Sequence, residues 1–539
     1  MINNFFKFTI ISICLSIYFS SCSKNKSLEI NKNEINKINS NSNYIQDDII
    51  LGEKKQNPYS ISNMEIALAT TKNNGYNSIN PIKIKPTHYY VKFKPNNEEQ
   101  YEMLASDTNL KIYDYPLDYK ILQLGNRYHD PSLPSNVPTF QYASVKTNFH
   151  FNPNIPYEII EELYIPEEDS NINPNLNQDF EFLNNLLDNA YIQTNNFEDT
   201  IKNYNPSYKV SNYTPGGKIQ TFDTRLNNLI GLEGIEVRAR RWFTTYTGTT
   251  NYYGNYSVNG SFSRPCNYSI WFTTFHFAIR EHLFGLTHHI DGPKIKNDWN
   301  YDIQSGYDRF QSHIFRGAYR YHYKDISGLQ RPFRPNGNRT LYIGKDEEKN
   351  WSGINYIVFP ILKIARYNGN LEYNSDEIFS TTCHETAHTS HVIKMNTGVL
   401  QYSQVTNQLK ESWAIGVEWL LTGLEYKSRG ITNYGEWNYS TFVQYPNMYG
   451  YQYWNNSKNN DDYSSLFINL VDNFNELGQV FPFRPTGAIN DQVHGYTLVD
   501  IENNILKHSY GLSSLSTKLK ANKPNGVTDA LIDQLLSYY

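Results

Sequence analysis

Residues 378 to 395 contain neither Gly nor Pro. Ile378, Phe379, Thr382, Ala387 and Val392 place apolar or small side chains at spacings that bury one side of a helix. Asn374, Ser375 and Asp376 form a polar cluster suited to cap its start, and Asp376 and Glu377 favour the positive end of its dipole. Inside this stretch stands His384-Glu385-Thr386-Ala387-His388. Two histidines four apart on a helix share a face, about 5.4 Å apart, so both imidazoles reach one metal ion. Glu385 points sideways, where it can take a proton from a metal-bound water. The stretch therefore reads as a helix able to hold a metal on one face, with a second element needed to complete the coordination.

Zinc with two histidines needs at least one further protein ligand and an open position. A third histidine six residues after the second, with a glycine between, is the metzincin solution. Here His391 and Lys394 occupy those positions, so it fails. A carboxylate from a following helix is the other solution. Leu409, Trp413, Val417, Leu420, Leu421 and Leu424 form a helical apolar stripe, with Glu411 and Glu418 seven apart on one face. A carboxylate on so buried a helix wants a partner, and a metal ion is one.

His384, Glu385 and His388, followed by Glu411-Ser412-Trp413-Ala414, resemble the gluzincin group of zinc metallopeptidases. The resemblance covers residues 375 to 425. It implies Zn2+ held by His384, His388 and Glu411, with Glu385 as general base and a peptide or protein as substrate. Gluzincins commonly place a carboxylate four residues after the ligand Glu; here that position is Ile415, and Glu418 is the substitute. They also supply a downstream Tyr or His to the oxyanion. His494 and Tyr496 are the candidates, with Tyr449, Tyr451 and Tyr453 competing. His391 reads as a polar residue at the cleft edge, and Cys383 as a small core residue.

The N-terminus has its own pattern. Residues 1–21 combine Lys7 with an apolar run from Phe8 to Phe19 too short for a membrane span, the mark of an export signal. The run ends Phe19-Ser20-Ser21-Cys22, which resembles a bacterial lipobox and implies lipidation at Cys22. The expected location is the cell envelope, with the chain held to the outer membrane by acyl groups. Residues 22–58 are rich in Asn, Lys and Ser and read as a flexible tether. Cys266 and Cys383 then remain, expected as buried thiols rather than a disulfide. A formal charge of −5 over 539 residues argues against a nucleic-acid partner. The 45 tyrosines suit either a sugar-stacking surface or, as the simpler reading, cores and wet interfaces.

Between tether and metal helix, the alternation in His88 to Phe93, the helix start at Asn96 to Glu99 and an apolar stretch from Leu110 to Tyr115 predict a βαβ unit within an accessory domain at 84–169. Residues 170–230 read as linker around a short helix, Phe180 to Leu187. Residues 231–275 predict strands around Ile235, Val237 and Ala239, a strand-turn-strand from Thr249 to Val258, and a strand from Tyr268 to Phe272. This segment resembles the small β-sandwich of carboxypeptidase-regulatory-like or transthyretin-like domains. His282, His288, His289 and Asp291 read as exposed loop positions. Asp302 to Tyr321 predicts a helix, Thr340 to Ile343 and Asn355 to Phe359 strands beside the cleft, and Ser464 to Phe474, Gly495 to His508 and Asn525 to Tyr538 further helices.

The expected fold is α+β and multidomain: a mainly helical zincin-like catalytic domain at 300–539 with a small edge sheet, preceded by the β-sandwich-like segment and the accessory domain. The expected function is a membrane-anchored zinc peptidase. The alternative is a surface adhesin or glycan-binding lipoprotein with a structural zinc site, which a fourth protein ligand such as His391 would favour.

Overall fold

A computed structural model describes residues 48–125, 127–200, 212–280, 287–332, 339–345, 353–356, 360–395, 398–432, 434, 464–477 and 489–539. The expected export signal, Cys22 and the tether up to residue 47 lie outside these residues, as do His282, Tyr449, Tyr451 and Tyr453. Helix accounts for 34% and strand for 24% of the described residues, the strands falling into six sheets among them. The expectation of a mainly helical architecture with a small edge sheet is therefore overturned. Its physical origin is plain: short, fully buried apolar runs such as Pro360–Ala365 carry no alternation that distinguishes a strand from a helix.

The tether ends earlier than residue 58. Ile50–Lys54 pairs antiparallel with Tyr119–Gln123, and the Tyr59 hydroxyl lies 2.6 Å from that of Tyr191 in the core. Helix α1, Ile61–Asn73, starts at Ser60, whose hydroxyl accepts from the Asn63 amide. His88–Phe93 is the central strand of a three-stranded sheet, antiparallel to both Gln141–Lys146 and Tyr157–Leu163. Helix α2, Glu98–Ala105, is capped by Asn97. The third part of the expected βαβ unit does not form. Of Leu110 to Tyr115, Tyr113 alone makes a bridge, to Tyr142. Leu110 and Ile112 instead pack as loop side chains with Val91, Phe93, Tyr101 and Leu104, so the apolar pattern reported burial and not a ladder.

The expected linker is folded too. Helix α3, Asn177–Gln193, buries Phe182, Leu186, Leu187 and Tyr191 in one core with Met64 of α1 and with Trp242, Phe243 and Trp271. The N-terminal segment and residues 231–275 thus share a core. Antiparallel strands Glu236–Arg241, Thr244–Thr249, Cys266–Trp271 and His289–Ile295 make one four-stranded sheet. The expected turn after Thr249 closes at Gly254, where φ is +85° and a Cβ would lie 2.1 Å from the Ile219 carbonyl oxygen. The segment does not close on itself: its apolar side chains run on into Ile219, Ile303, Phe310 and Ile314. His288 and His289 are buried, not exposed. His288 bonds Asp308 at 3.0 Å, and His289 stacks on Trp271 with ring centroids 4.6 Å apart.

Phe277–Arg280, Thr340–Lys345 and Pro360–Ala365 form a parallel sheet, edged by the antiparallel strand Gly353–Tyr356. Two buried arginines tie it to α2. Arg280 pairs with Glu98 and Glu102, and Arg339 grips Glu102 at 2.5 and 3.1 Å. Helix α4, Gly306–Tyr323, packs on α5, Ser375–Lys394, followed by the short α6, Val399–Tyr402, and by α7, Asn407–Ser428. Downstream, the expected helix from Ser464 contracts to Leu466–Asn469, the chain is helical from Leu498 to His508, and Leu512–Ala521 precedes Asp529–Leu536. Several tyrosines serve the core: Tyr59, Tyr90, Tyr164, Tyr191, Tyr268 and Tyr321 are among the largest fully buried side chains of the described residues.

Candidate metal centre

Helix α5 begins where the polar cluster placed it. Asn374 stands before its first turn, and the Asn374 amide donates to Glu377 at 2.7 Å, the reciprocal half of a capping box. The helix is buried over nearly its whole length because α4 and α7 cover two sides of it. Gly317 permits the close crossing with α4, since a Cβ there would sit 2.7 Å from Thr382 Cβ and 2.8 Å from the Phe379 carbonyl oxygen. On α7, the stripe anticipated from Leu409 to Leu424 buries Leu409, Trp413, Val417 and Leu421 and leaves Leu420 and Leu424 half-buried, and the Trp413 ring meets Phe467 edge-on at 5.4 Å. Glu425 near the end of α7 locks it to α4: Arg316 and Arg320 lie 3.4 Å away, Lys324 3.2 Å and Arg429 2.6 Å.

This packing brings Glu411 to the two histidines. Among the described residues, His384, His388 and Glu411 form the group of three whose ligand atoms all lie within 4.8 Å of one another. Glu411 Oε2 is 3.1 Å from His384 Nε2 and 3.4 Å from His388 Nε2. The other nitrogen of each ring is engaged from behind. His384 Nδ1 lies 3.1 Å from Glu418 Oε2, and His388 Nδ1 lies 2.9 Å from the Tyr402 hydroxyl. Both Nε2 atoms therefore face the carboxylate, with ring orientation set by a carboxylate in one case and a phenol in the other. That is how metal-ligating histidines are ordinarily held.

The donor set fits a borderline divalent cation such as zinc: two imidazole nitrogens and one carboxylate oxygen, with no fourth protein ligand in the group. The electrostatics fit as well. Burial disfavours the His384 imidazolium, yet hydrogen bonds to Glu411 and Glu418 and the charge of Glu385 raise its pKa to about 10. Burial likewise opposes the Glu411 anion, but His388 and His384 hold its carboxyl well below the usual range. The neighbouring carboxylates thus favour the protonated His384, and a cation bound by the three ligands displaces that proton.

Other anticipated residues fall differently. Glu385, next to His384, is buried at 1% exposure. Glu418 takes the supporting position expected of it. His391 is not at a cleft edge: it is fully buried against Tyr402, with ring centroids 5.0 Å apart, and burial with His388 and Lys410 lowers it to about 3. It stays neutral and outside the donor group. Cys383 and Cys266 are free, buried thiols. The proposed oxyanion donors are not brought to the metal helix. The Tyr496 hydroxyl is spent on the Leu519 carbonyl at 2.9 Å, and His494 lies exposed on the surface. Both precede a helix start that faces the C-terminal helices, a direction the sequence does not encode locally. Tyr402 was not anticipated, because a tyrosine in the short connection between two helices has no periodic signature. No protein-family model matches the chain, and no curated protein sequence matches it.

Proposed function

We propose that this protein is a zinc-dependent peptidase, with His384, His388 and Glu411 as the metal ligands and Glu385 as the general base. The observation that carries the reading is the convergence of three donors from α5 and α7, each imidazole backed through Nδ1. Three protein ligands with no fourth is the pattern of a catalytic rather than a structural zinc site. When bound there, zinc would supply Lewis acidity towards a water and a peptide carbonyl.

The chain's own residues do the rest. Glu385, held on the rigid α5 beside a ligand, takes up the proton of the attacking water and returns it to the leaving amine. Its burial keeps bulk water from competing for that proton. Glu418 and Tyr402 fix the imidazole rings, so the geometry is set before substrate arrives. The N-terminal sequence extends the proposal: a chain lipidated at Cys22, anchored at the cell envelope, acting on peptide or protein substrates.

The test is Glu385→Gln, assayed with a peptide library with and without chelator, alongside metal analysis. The variant should keep one zinc per chain and lose about 10²–10⁴-fold in cleavage. Undiminished cleavage by that variant, or cleavage by the parent that chelator leaves untouched, would remove the mechanism.

A further inference from the structure

A second set of oxygen donors lies where the segments 469–477 and 489–493 meet, and the metal centre makes no use of it. Asn469 ends the helix Leu466–Asn469 and is fully buried. Its Nδ2 donates to Glu476 Oε1 at 2.8 Å, while its Oδ1 has no hydrogen-bond partner. Glu476 is also fully buried, and its Oε2 has none either. Asp491, 5% exposed, accepts from the Val493 amide through Oδ1 at 3.0 Å, and its Oδ2 is left over. Asn475 Nδ2 donates to Asn490 Oδ1 at 3.0 Å, joining the two segments.

The charges repel one another. Burial and Asp472 push Glu476 up to about 8, and burial with Glu476 and Asp472 pushes Asp491 up to about 9. No cationic side chain among the described residues offsets either group. Two sealed carboxyl groups and an amide, each presenting an unmatched oxygen on two joined segments, leave a deficit of positive charge and of donors there.

We propose that Asn469, Glu476 and Asp491 form an oxygen-lined binding site for a structural calcium ion. Calcium takes carboxylate, carboxamide and backbone carbonyl oxygens in irregular arrangements, whereas magnesium demands near-ideal octahedral geometry and zinc prefers nitrogen and sulfur. The ion would brace the segment that supports α7. Phe467 packs on Trp413, and Ser464 Oγ meets Ser412 Oγ at 2.6 Å, one residue from Glu411. The calcium site stands on its own donors and does not depend on the peptidase reading.

The test uses the full chain, stripped with chelator and titrated with Tb3+ under tyrosine excitation. Tyr539 feels the charges of Glu476 and Asp491 and is the sensitiser. Luminescence should appear and be displaced by Ca2+ in preference to Mg2+, and saturating Ca2+ should raise the Tm by several degrees. Glu476→Gln and Asp491→Asn should lose both responses, and His384→Ala should keep both. Should either carboxylate variant fail to fold, the parent titration decides alone. A parent without luminescence and with a Tm indifferent to Ca2+ overturns the proposal. So does a Ca2+ response that survives in the folded double variant. A Tm that falls as pH rises towards 9, unaffected by Ca2+, would mean that protons and not a cation satisfy the cluster.

Discussion

Glu418 touches no metal donor atom in the group, yet its removal should weaken zinc binding measurably. Its carboxylate is 2% exposed and lies 3.1 Å from His384 Nδ1. Glu418→Gln keeps an acceptor of nearly the same shape and removes the charge. Hydrogen bonds to charged groups contribute about 1.5–3 kcal/mol and neutral ones about 0.5–1.5, so about 1–1.5 kcal/mol of ligand polarisation is lost. That corresponds to roughly tenfold weaker zinc binding, the lower end of the roughly 10–100-fold range for such supporting partners. Competition against a chromophoric chelator reads it directly. The pH dependence carries a sign. Glu418 also helps hold a proton on metal-free His384, whose pKa is raised to about 10. The variant therefore suffers less proton competition, and the measured loss should grow from pH 6 to pH 9. Tyr402→Phe removes a neutral partner of His388 and should cost less than Glu418→Gln. Zinc affinity within twofold of the parent at pH 9, in a folded Glu418→Gln protein, would refute the reasoning, as would the reverse order of the two variants.

Gly317→Ala drives a methyl into Thr382 and the Phe379 carbonyl. It should destabilise the fold by about 1–3 kcal/mol, seen as a lower midpoint in denaturant, and weaken zinc binding by shifting α5. Glu425 has a carboxyl held below its ordinary value of 4.5, burial being outweighed by Arg429, Arg316 and Lys324. The unfolded chain therefore takes up the proton first. The stability Glu425 contributes is complete above the unfolded pKa and is lost as pH falls through the folded one. Denaturation curves between pH 6 and pH 3 should show that loss, and Glu425→Gln should flatten it at the cost of lower stability at neutral pH.

The metal centre was legible because its constraints are local. His384, His388 and Glu385 lie on one helix without a breaker, so spacing alone puts the two imidazoles on one face, while Glu411, on the next apolar stripe, was named through the resemblance and is brought in by the packing of α5 on α7. Glu418 was legible from its place seven residues on, on the same face as Glu411. Tyr402, His494 and Tyr496 were not, since their directions depend on tertiary packing that no spacing reports. The sheets failed in a related way. Leu110 to Tyr115 carries a strand's apolar pattern but buries its side chains from a loop, and Phe180 to Leu187 reads as an isolated helical piece although Trp242 and Trp271 complete its core. A histidine pair in a Gly-flanked stretch reads as loop until a strand partner covers it, as Trp271 covers His289.

The guanidinium groups of Arg280 and Arg339 sit at 0% and 1% exposure, neutralised by two carboxylates from a helix some 180 to 240 positions earlier in the chain. Cutting the polypeptide near residue 170 would remove both carboxylates that neutralise these cations. Losing one partner of a buried pair costs about 3–5 kcal/mol, a large share of the roughly 5–15 kcal/mol by which folded proteins usually survive. The region bearing His384 is thus bound to its distant N-terminal neighbour by electrostatics as much as by apolar contact, and a shortened version would be expected to emerge insoluble rather than merely inactive.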